Sequence, residues 1–443
     1  MKLISFLNSY FFGPVLPVIL FCVGIFYLIK LRRFHIFTPS NIFRALRSNS
    51  GTATSPFKAM TVALAGTLGV GNIAGVAAAI STGGAGAIFW MWISAIVAMI
   101  LKYAETVLAV KHRRVIIENG RQRNTGGAFM YMSDCGNKKL GLCFALLCVI
   151  TSISMGSIVQ SNAISVSLTS SFGFDARLCG IILAILTLIV ISGGFSKISE
   201  ITYFAVPLFC LIYTGISLYV IFANIGELPG VIARIITEAF SLKCAGSGVM
   251  GYGIMRAMRY GVARGILSNE AGSGTSVCAH AASDTSSPAA QGAFGIFEVF
   301  IDTIVLCSMT AFVILLSGEC KAGDAAMVVA IKAYGKFIGK IAPGFMSVAV
   351  TFFAFATIMC WSVYGAEALR YISSEHLKRL DFKRLRFLYY VFYSLSVLAG
   401  TLISGDMMWE LSDMSCAVMT LINTGFLATK YKEVKKESAA LFK

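Results

Sequence analysis

Apolar residues in this chain fall in blocks near 20 residues long, about the length a helix needs to cross a bilayer. The blocks lie at 11–29, 57–81, 85–110, 140–170, 178–194, 201–225, 246–285, 292–317, 343–369, 387–404 and 408–429, which predicts eleven crossings. Two of them are interrupted. The second contains Gly66-Thr67-Leu68-Gly69-Val70-Gly71-Asn72-Ile73-Ala74-Gly75-Val76. The seventh contains glycines at 246, 248, 251 and 253, then Ser268-Asn269-Glu270-Ala271-Gly272-Ser273-Gly274. Glycine and polar groups weaken a helix at a depth where lipid offers the backbone no alternative partner.

With the first block set aside, ten remain. Blocks two and seven then head two groups of five, and an odd number of crossings turns one group over relative to the other. Paired interruptions in such inverted halves mark a midplane solute site. The expected architecture is one all-α membrane domain over 1–443, with an extra N-terminal helix (1–35), a first repeat (55–225) and a second (226–430). Either glycine cluster of block seven could be its break.

Composition agrees. The chain is 57% hydrophobic and 13% charged, with a mean hydropathy of +0.78, too apolar for a soluble fold of this length. The net charge of +16 sits mostly in short loops, which argues for orientation in a membrane rather than for nucleic acid. The basic stretches at 30–47, 111–123, 370–386 and 430–436 fall on one side if every block crosses once. That orientation puts the N-terminus outside and the C-terminus in the cytoplasm of a cell whose inner (plasma) membrane holds the protein. The stretch 318–342, with Lys321, Lys332, Lys336 and Lys340, is the exception. The first block runs into Lys30-Leu31-Arg32-Arg33 without a cleavage pattern and reads as retained. The 12 cysteines lie mostly in apolar blocks, and the four histidines are far apart. No metal-ligand spacing, nucleophile motif or phosphate-binding loop occurs, so neither an enzyme, a cofactor, nor a metal beyond a transported ion is expected.

Several polar residues inside apolar blocks are candidates for chemistry. A broken helix offers N–H groups to a carboxylate and carbonyls to a cation or ammonium group, which together suit an amino acid. Asn72 and Thr67 sit at the first break. Asn269 and Glu270 sit at the second or beside a cytoplasmic gate. Gln160 and Asn162 lie in block four. Thr357 and Trp361 are one turn apart in block nine, placing a hydroxyl and a large wall on one face. Glu298 and Asp302 are four apart in block eight, fit for a proton relay or for structural pairing with basic groups. Lys102 with Glu105 reads as an interfacial pair, and Glu410 with Asp413 as structural.

Gly83-Gly84-Ala85-Gly86-Ala87-Ile88-Phe89-Trp90-Met91-Trp92, continuing through Lys102-Tyr103-Ala104-Glu105, resembles the signature of the alanine or glycine:cation symporter family. Gly66 to Val76, Arg264 to Gly274, Phe300 to Val305 and Phe355 to Gly365 are similar to its other motifs. The resemblance implies a leucine-transporter-type fold and sodium-coupled uptake of alanine, D-alanine or glycine by alternating access. By position it places Gly69, Gly71, Asn72, Gln160 and Trp361 by the substrate, and the second break adds Asn269. Gly66, Val70 and Thr357 are the sodium candidates, and Glu270, Glu298 and Asp302 the gate or coupling candidates. Val70 and Ala356 stand where the family usually carries hydroxyl residues, and Ala98 where the signature closes on glycine. Proton coupling through Glu298 and Asp302 is therefore an alternative. A channel, a transporter-derived sensor and a membrane enzyme are rival classes.

Overall fold

The computed structural model describes residues 15–31, 54–118, 120–241, 252–320, 324–377, 381–403 and 405–441. The upstream glycine cluster at 246–251 and most of the first basic loop lie outside the described residues. The first crossing is α1 (Leu16–Leu31). The second is split into α2 (Pro56–Thr67) and α3 (Ala74–Gly83). Then follow α4 (Gly86–Lys111), a hairpin of β1 (Arg114–Glu118) and β2 (Arg121–Thr125), and α5 (Ala128–Asp134). Crossings four to six are α6 (Lys138–Phe172), α7 (Ala176–Ile191) and α8 (Gly194–Ala223), followed by the shorter α9 (Leu228–Ala239). The seventh crossing is split into α10 (Tyr252–Asn269) and α11 (Val277–Ala281), and the eighth is α12 (Pro288–Ser317). α13 (Ala326–Ile338) precedes the last three crossings, α14 (Ala342–Glu375), α15 (Phe382–Leu402) and α16 (Gly405–Thr429), and α17 (Tyr431–Leu441) ends the described chain. Each of the eleven apolar blocks carries helix among the described residues, and seven helices there are long and apolar enough to cross a membrane. Unexpected were the hairpin, α5, α9, α13 and α17.

Local chemistry sets the ends of these helices. Ser55 accepts from Lys58 N at 3.2 Å, with Pro56 at the first helical position. Asp175 caps α7, Ser287 with Pro288 starts α12, and Asp381 caps α15. Such caps satisfy N–H groups that have no partner within the helix. Gly173 and Gly318 close α6 and α12 in the left-handed conformation (φ 65° and 68°) that glycine adopts without strain.

The two broken crossings run side by side in opposite directions. Thr54 N donates to Asp284 Oδ2 at 2.8 Å, and Asp284 N to Thr54 O at 3.0 Å. Midway, a Cβ at Gly71 would lie 3.4 Å from Ser268 Cα. At the far end, a Cβ at Gly83 would lie 3.6 Å from Ala257 Cα. As the chain climbs through 54, 71 and 83, its partner descends through 284, 268 and 257, as an inverted pair must. Small residues allow this approach. α10 and α12 both pack along α4, which is buried over most of its length.

The basic stretches at 111–123 and 370–386 gather on one face. Glu118 of β1 pairs with Arg123, Arg370 and Arg386, Arg123 also holds Glu367, and Arg114 bridges Asp134 and Glu375. Arg113 donates to the carbonyls of Ser283 (2.7 Å) and Thr285 (2.8 Å). The hairpin therefore ties α4, α14 and α15 to the end of crossing seven.

Candidate solute and ion site

Crossing two loses its α-helical bonding between Thr67 and Ala74. Leu68 N still reaches Leu64 O (2.8 Å), but Gly69 N turns to Thr67 O and Ile73 N to Val70 O, a tight three-residue turn. Other helices satisfy the freed groups. Gln160 Oε1 on α6 accepts from Val70 N (3.2 Å), and Thr357 Oγ1 on α14 donates to Ala65 O (3.0 Å). Trp361 Nε1 donates to Gly66 O (3.3 Å), and Thr310 Oγ1 on α12 to Asn72 O (2.8 Å). This accounts physically for a helix break deep in the fold: its backbone is held by protein rather than lipid. A methyl group at Gly69 would sit 2.8 Å from Gln160 Oε1 and 3.0 Å from Thr357 Oγ1, so glycine is what lets α6 and α14 close on the turn.

Among the described residues, crossing seven is broken at the downstream cluster, from Glu270 to Ser276. Glu270, Gly272 and Gly274 all take positive φ (51°, 78° and 74°), costly for the glutamate and easy for the glycines. α10 runs unbroken from Tyr252 to Asn269, and beyond the break the chain resumes as α11, so this segment interrupts a crossing rather than ending one. Its backbone is again pinned from outside. Gly274 N donates to Glu105 Oε2 (3.1 Å), and Asn423 Nδ2 of α16 donates to Gly272 O (2.9 Å) and Glu105 Oε2 (2.8 Å).

Asp302 joins the two breaks. It lies in a widened turn of α12 at Phe300–Cys307. Asn72 Nδ2 donates to its Oδ1 (2.8 Å) and its carbonyl (3.0 Å), Ser268 Oγ to its Oδ2 (2.9 Å) and Thr303 Oγ1 to its Oδ2 (2.8 Å). Asn269 Nδ2 donates to Thr303 Oγ1 (3.1 Å). Trp361 Nε1 reaches both breaks, through Gly66 O and through Glu270 Oε1 at 3.0 Å. Thus Gly66, Gly69, Val70, Gly71, Asn72, Gln160, Asn269, Glu270, Asp302, Thr357 and Trp361 converge. Beside Trp361 and Glu270 lies a cavity of about 10 Å³, walled also by Met155, Ser273, Cys416 and Met419, which holds one water-sized molecule.

Some expectations need correction. Glu298 and Asp302 do not share partners: Glu298 takes the structural pairing with basic groups that its position also allowed, and Asp302 does not. Glu298 Oε2 meets His280 Nε2 (2.7 Å) and Oε1 meets Lys102 Nζ (3.5 Å), while Asp302 turns to the breaks. The four-residue spacing put them on one face, but each is claimed by different neighbours. Nor does Asp302 pair with a basic group: neither it nor Glu270 forms an ion pair among the described residues. Lys102 and Glu105 are not interfacial either. Both are fully buried, and Lys102 Nζ donates to Ser276 Oγ at 2.7 Å in the second break. Asn162 leaves the site altogether and donates to the carbonyls of Gly400 and Ile403. Asp413 pairs with Arg264 at 3.8 Å.

Sequence reasoning passed over Ser268 as an individual group, along with Thr303, Thr310, Tyr364 and Asn423. Asn423-Thr424 inside the last apolar block was the readable signal, since paired polar groups there need buried partners. Tyr364 Oη is buried beside Gly66 without a hydrogen-bond partner among the described residues.

Two inverted, broken helices crossed by a set of supporting ones define a multi-pass membrane transporter rather than an enzyme. Solved structures share the fold. A crystal structure of MhsT with L-phenylalanine matches with a TM-score of 0.64 at 13% identity, covering 89% of this chain and 93% of that one. A Na+-coupled sialic acid symporter matches at 0.57 and 11%, covering 93% and 86%. These place the architecture in the leucine-transporter type. The sodium:alanine symporter family profile matches residues 1–440, and the chain belongs to that family. It is 33% identical over 436 residues to the sodium/alanine symporter AgcS of Methanococcus maripaludis, covering 95% of this chain and 93% of that protein. It is 31% identical over 427 residues to the probable sodium/glutamine symporter GlnT of Bacillus subtilis, covering 95% and 86%. Amino acid:cation symport is the activity this family defines.

Proposed function

We propose that the protein imports a small neutral amino acid, alanine, D-alanine or glycine, together with sodium. The observation that carries this reading is the meeting of both breaks at Asp302, Asn72 and Trp361. The substrate carboxylate faces the turn at Gly69–Asn72 and the Asn72 amide. Its ammonium group lies toward the carbonyls and carboxylates of the second break, with Asn269 and Gln160 framing it. Sodium sits by the Gly66 and Val70 carbonyls and Thr357. Val70 has no side-chain oxygen to give, so the backbone and the buried carboxylates carry more of the cation's charge. A relative named as a probable sodium/glutamine symporter leaves side-chain size to the wall. Here Gly156 packs against Trp361, a Cβ at 156 falling 2.3 Å from Trp361 Cβ, and this closeness favours a small substrate.

Binding both ligands drives closure only through their different affinities for the two facing states. The basic face is the cytoplasmic one, which leaves the N-terminus outside and the C-terminus inside.

Proton coupling is the second reading, favoured by one observation: Asp302 and Glu270 are buried carboxylates without a cationic partner among the described residues. Proteoliposomes loaded with no substrate and given labelled alanine or glycine decide between the two. Accumulation driven by a sodium gradient at equal pH supports sodium. Accumulation driven only by an imposed pH gradient overturns it.

A further inference from the structure

A second cluster lies on the basic face, beyond the end of α4, about two helical turns along from Glu105 at the second break. His112 follows α4, Cys135 follows α5, and Glu433 lies in the first turn of α17. Three elements distant in sequence bring them together. His112 Nε2 lies 2.8 Å from Glu433 Oε1, Cys135 Sγ lies 3.9 Å from His112 Nε2, and the three donor atoms all fall within 4.8 Å of one another. Donors bound to one zinc ion at about 2.0–2.3 Å stand roughly 3.3–3.9 Å apart in a tetrahedron, so small side-chain rotations suffice.

The surroundings are arranged as a metal site requires. The other ring nitrogen, His112 Nδ1, faces Asp134 Oδ2 at 3.6 Å, a small rotation short of the carboxylate–imidazole hydrogen bond that orients a metal-binding histidine. Arg114 holds the opposite oxygen of Asp134 at 2.7 Å, so that carboxylate is fixed independently. The opposing feature is Lys111, whose Nζ lies 3.0 Å from Glu433 Oε1. It also lies 3.0 Å from Glu437 Oε1, so it keeps a carboxylate when Glu433 turns to a metal. Lys430, near the thiol, stacks over Phe426 at 5.3 Å and has a place outside the donor set. Imidazole, thiolate and carboxylate together suit Zn²⁺ and do not suit Mg²⁺ or Ca²⁺.

We infer that His112, Cys135 and Glu433, with Asp134 orienting the histidine, form a zinc-binding site that pins α17 to the ends of α4 and α5. Binding releases the thiol proton to solvent and forms one bond each to nitrogen, sulfur and oxygen, water completing the shell. Among the described residues, none of its three donors contacts the residues of the two breaks that the proposed solute site uses.

The test is a cobalt titration of the purified full-length protein in detergent. The expected result is a near-ultraviolet thiolate-to-cobalt band saturating at one equivalent, with visible bands of tetrahedral intensity, all displaced by Zn²⁺. Cys135→Ser should abolish the charge-transfer band, and His112→Gln should weaken binding ~100-fold or more, while both variants elute and transport as the parent does. Asp134→Asn should weaken cobalt binding about 10- to 100-fold without touching a ligand. No saturable band, or a band that survives Cys135→Ser at full strength, would overturn the site. If His112→Gln elutes as an aggregate, Cys135→Ser alone decides.

Discussion

The sharpest structural consequence of the first break is the fit of Gly66 against Tyr364. A methyl group at position 66 would lie 2.3 Å from Tyr364 Oη, 3.0 Å from Cζ and 3.1 Å from Cε2. No relaxed contact is that short, so Gly66→Ala must displace the buried Tyr364 ring, and with no free space around it the strain passes to α14. Overpacking of this kind costs about 1–3 kcal/mol. The displacement also stretches the Trp361 bond to Gly66 O and the Thr357 bond to Ala65 O, both on the same helix. Sodium-driven alanine uptake should fall at least ~10-fold, the rate equivalent of about 1.4 kcal/mol. Tyr364→Phe alone should be nearly neutral, because it removes a buried hydroxyl without a protein partner, which relieves an unsatisfied group. Combined, the two changes remove the 2.3 Å collision. The double variant should recover most of the lost stability and uptake, with a coupling energy of about 1–2 kcal/mol. Thermal unfolding in detergent and initial uptake rates give the four corners of the cycle. Additive effects, agreeing within about 0.5 kcal/mol, would refute the reasoning, as would a large loss in Tyr364→Phe, which would give the hydroxyl a ligand.

Three further outcomes are expected. Asn72→Ala removes two bonds to Asp302, and since a bond to a charged group is worth about 1.5–3 kcal/mol, sodium-dependent alanine binding should weaken about 10- to 100-fold while membrane insertion is unchanged. Lys102→Met strands the buried Glu105 and Glu298 carboxylates; removing one partner of a buried pair costs about 3–5 kcal/mol, so this variant should melt well below the parent, and Lys102→Met with Glu298→Gln should regain part of the loss. Burial pushes the Glu118 carboxyl up, but Arg123, Arg370 and Arg386 more than offset this and hold it below its ordinary value. Its contribution to stability is thus complete above an unfolded value of about 4.3 and fades as pH falls through the lower folded value. Glu118→Gln should lower the melting temperature at pH 7 and flatten its decline under acid; an unchanged melting curve at both pH values would contradict this.

Much of the fold was legible because lipid imposes a length and a polarity on every crossing. The eleven blocks, and the breaks inside the second and seventh, could be read directly from apolar runs interrupted by glycine. Composition could not choose between the two glycine clusters of block seven. What holds the downstream cluster open comes from elsewhere: Glu105 and Asn423 hold the backbone at Gly272 and Gly274, and neither is a neighbour in sequence. The hairpin was readable and missed. Asn119-Gly120 flanked by Val115-Ile116-Ile117 is a two-residue turn signal hidden within a stretch rich in charge. α9 shows its buried stripe as Val231, Ile235 and Ala239, four residues apart, in a segment read only as a connection. Pairings across the fold were the least legible part. Lys102 with Glu105 looked complete as a local pair, and nothing nearby pointed to Ser276 or Glu298. Likewise the spacing of Glu298 and Asp302 implied a shared face but could not show which neighbours would claim each carboxylate.

The account depends on one shared site built from both breaks, and equilibrium binding of labelled alanine to purified protein, with and without sodium, tests it most directly. Asn72→Ala probes crossing two, Ser268→Ala crossing seven and Asp302→Asn the group between them. The account predicts that the parent binds alanine only when sodium is present and that each of the three variants weakens that binding at least ~10-fold. Parental affinity in both Ser268→Ala and Asp302→Asn would contradict it.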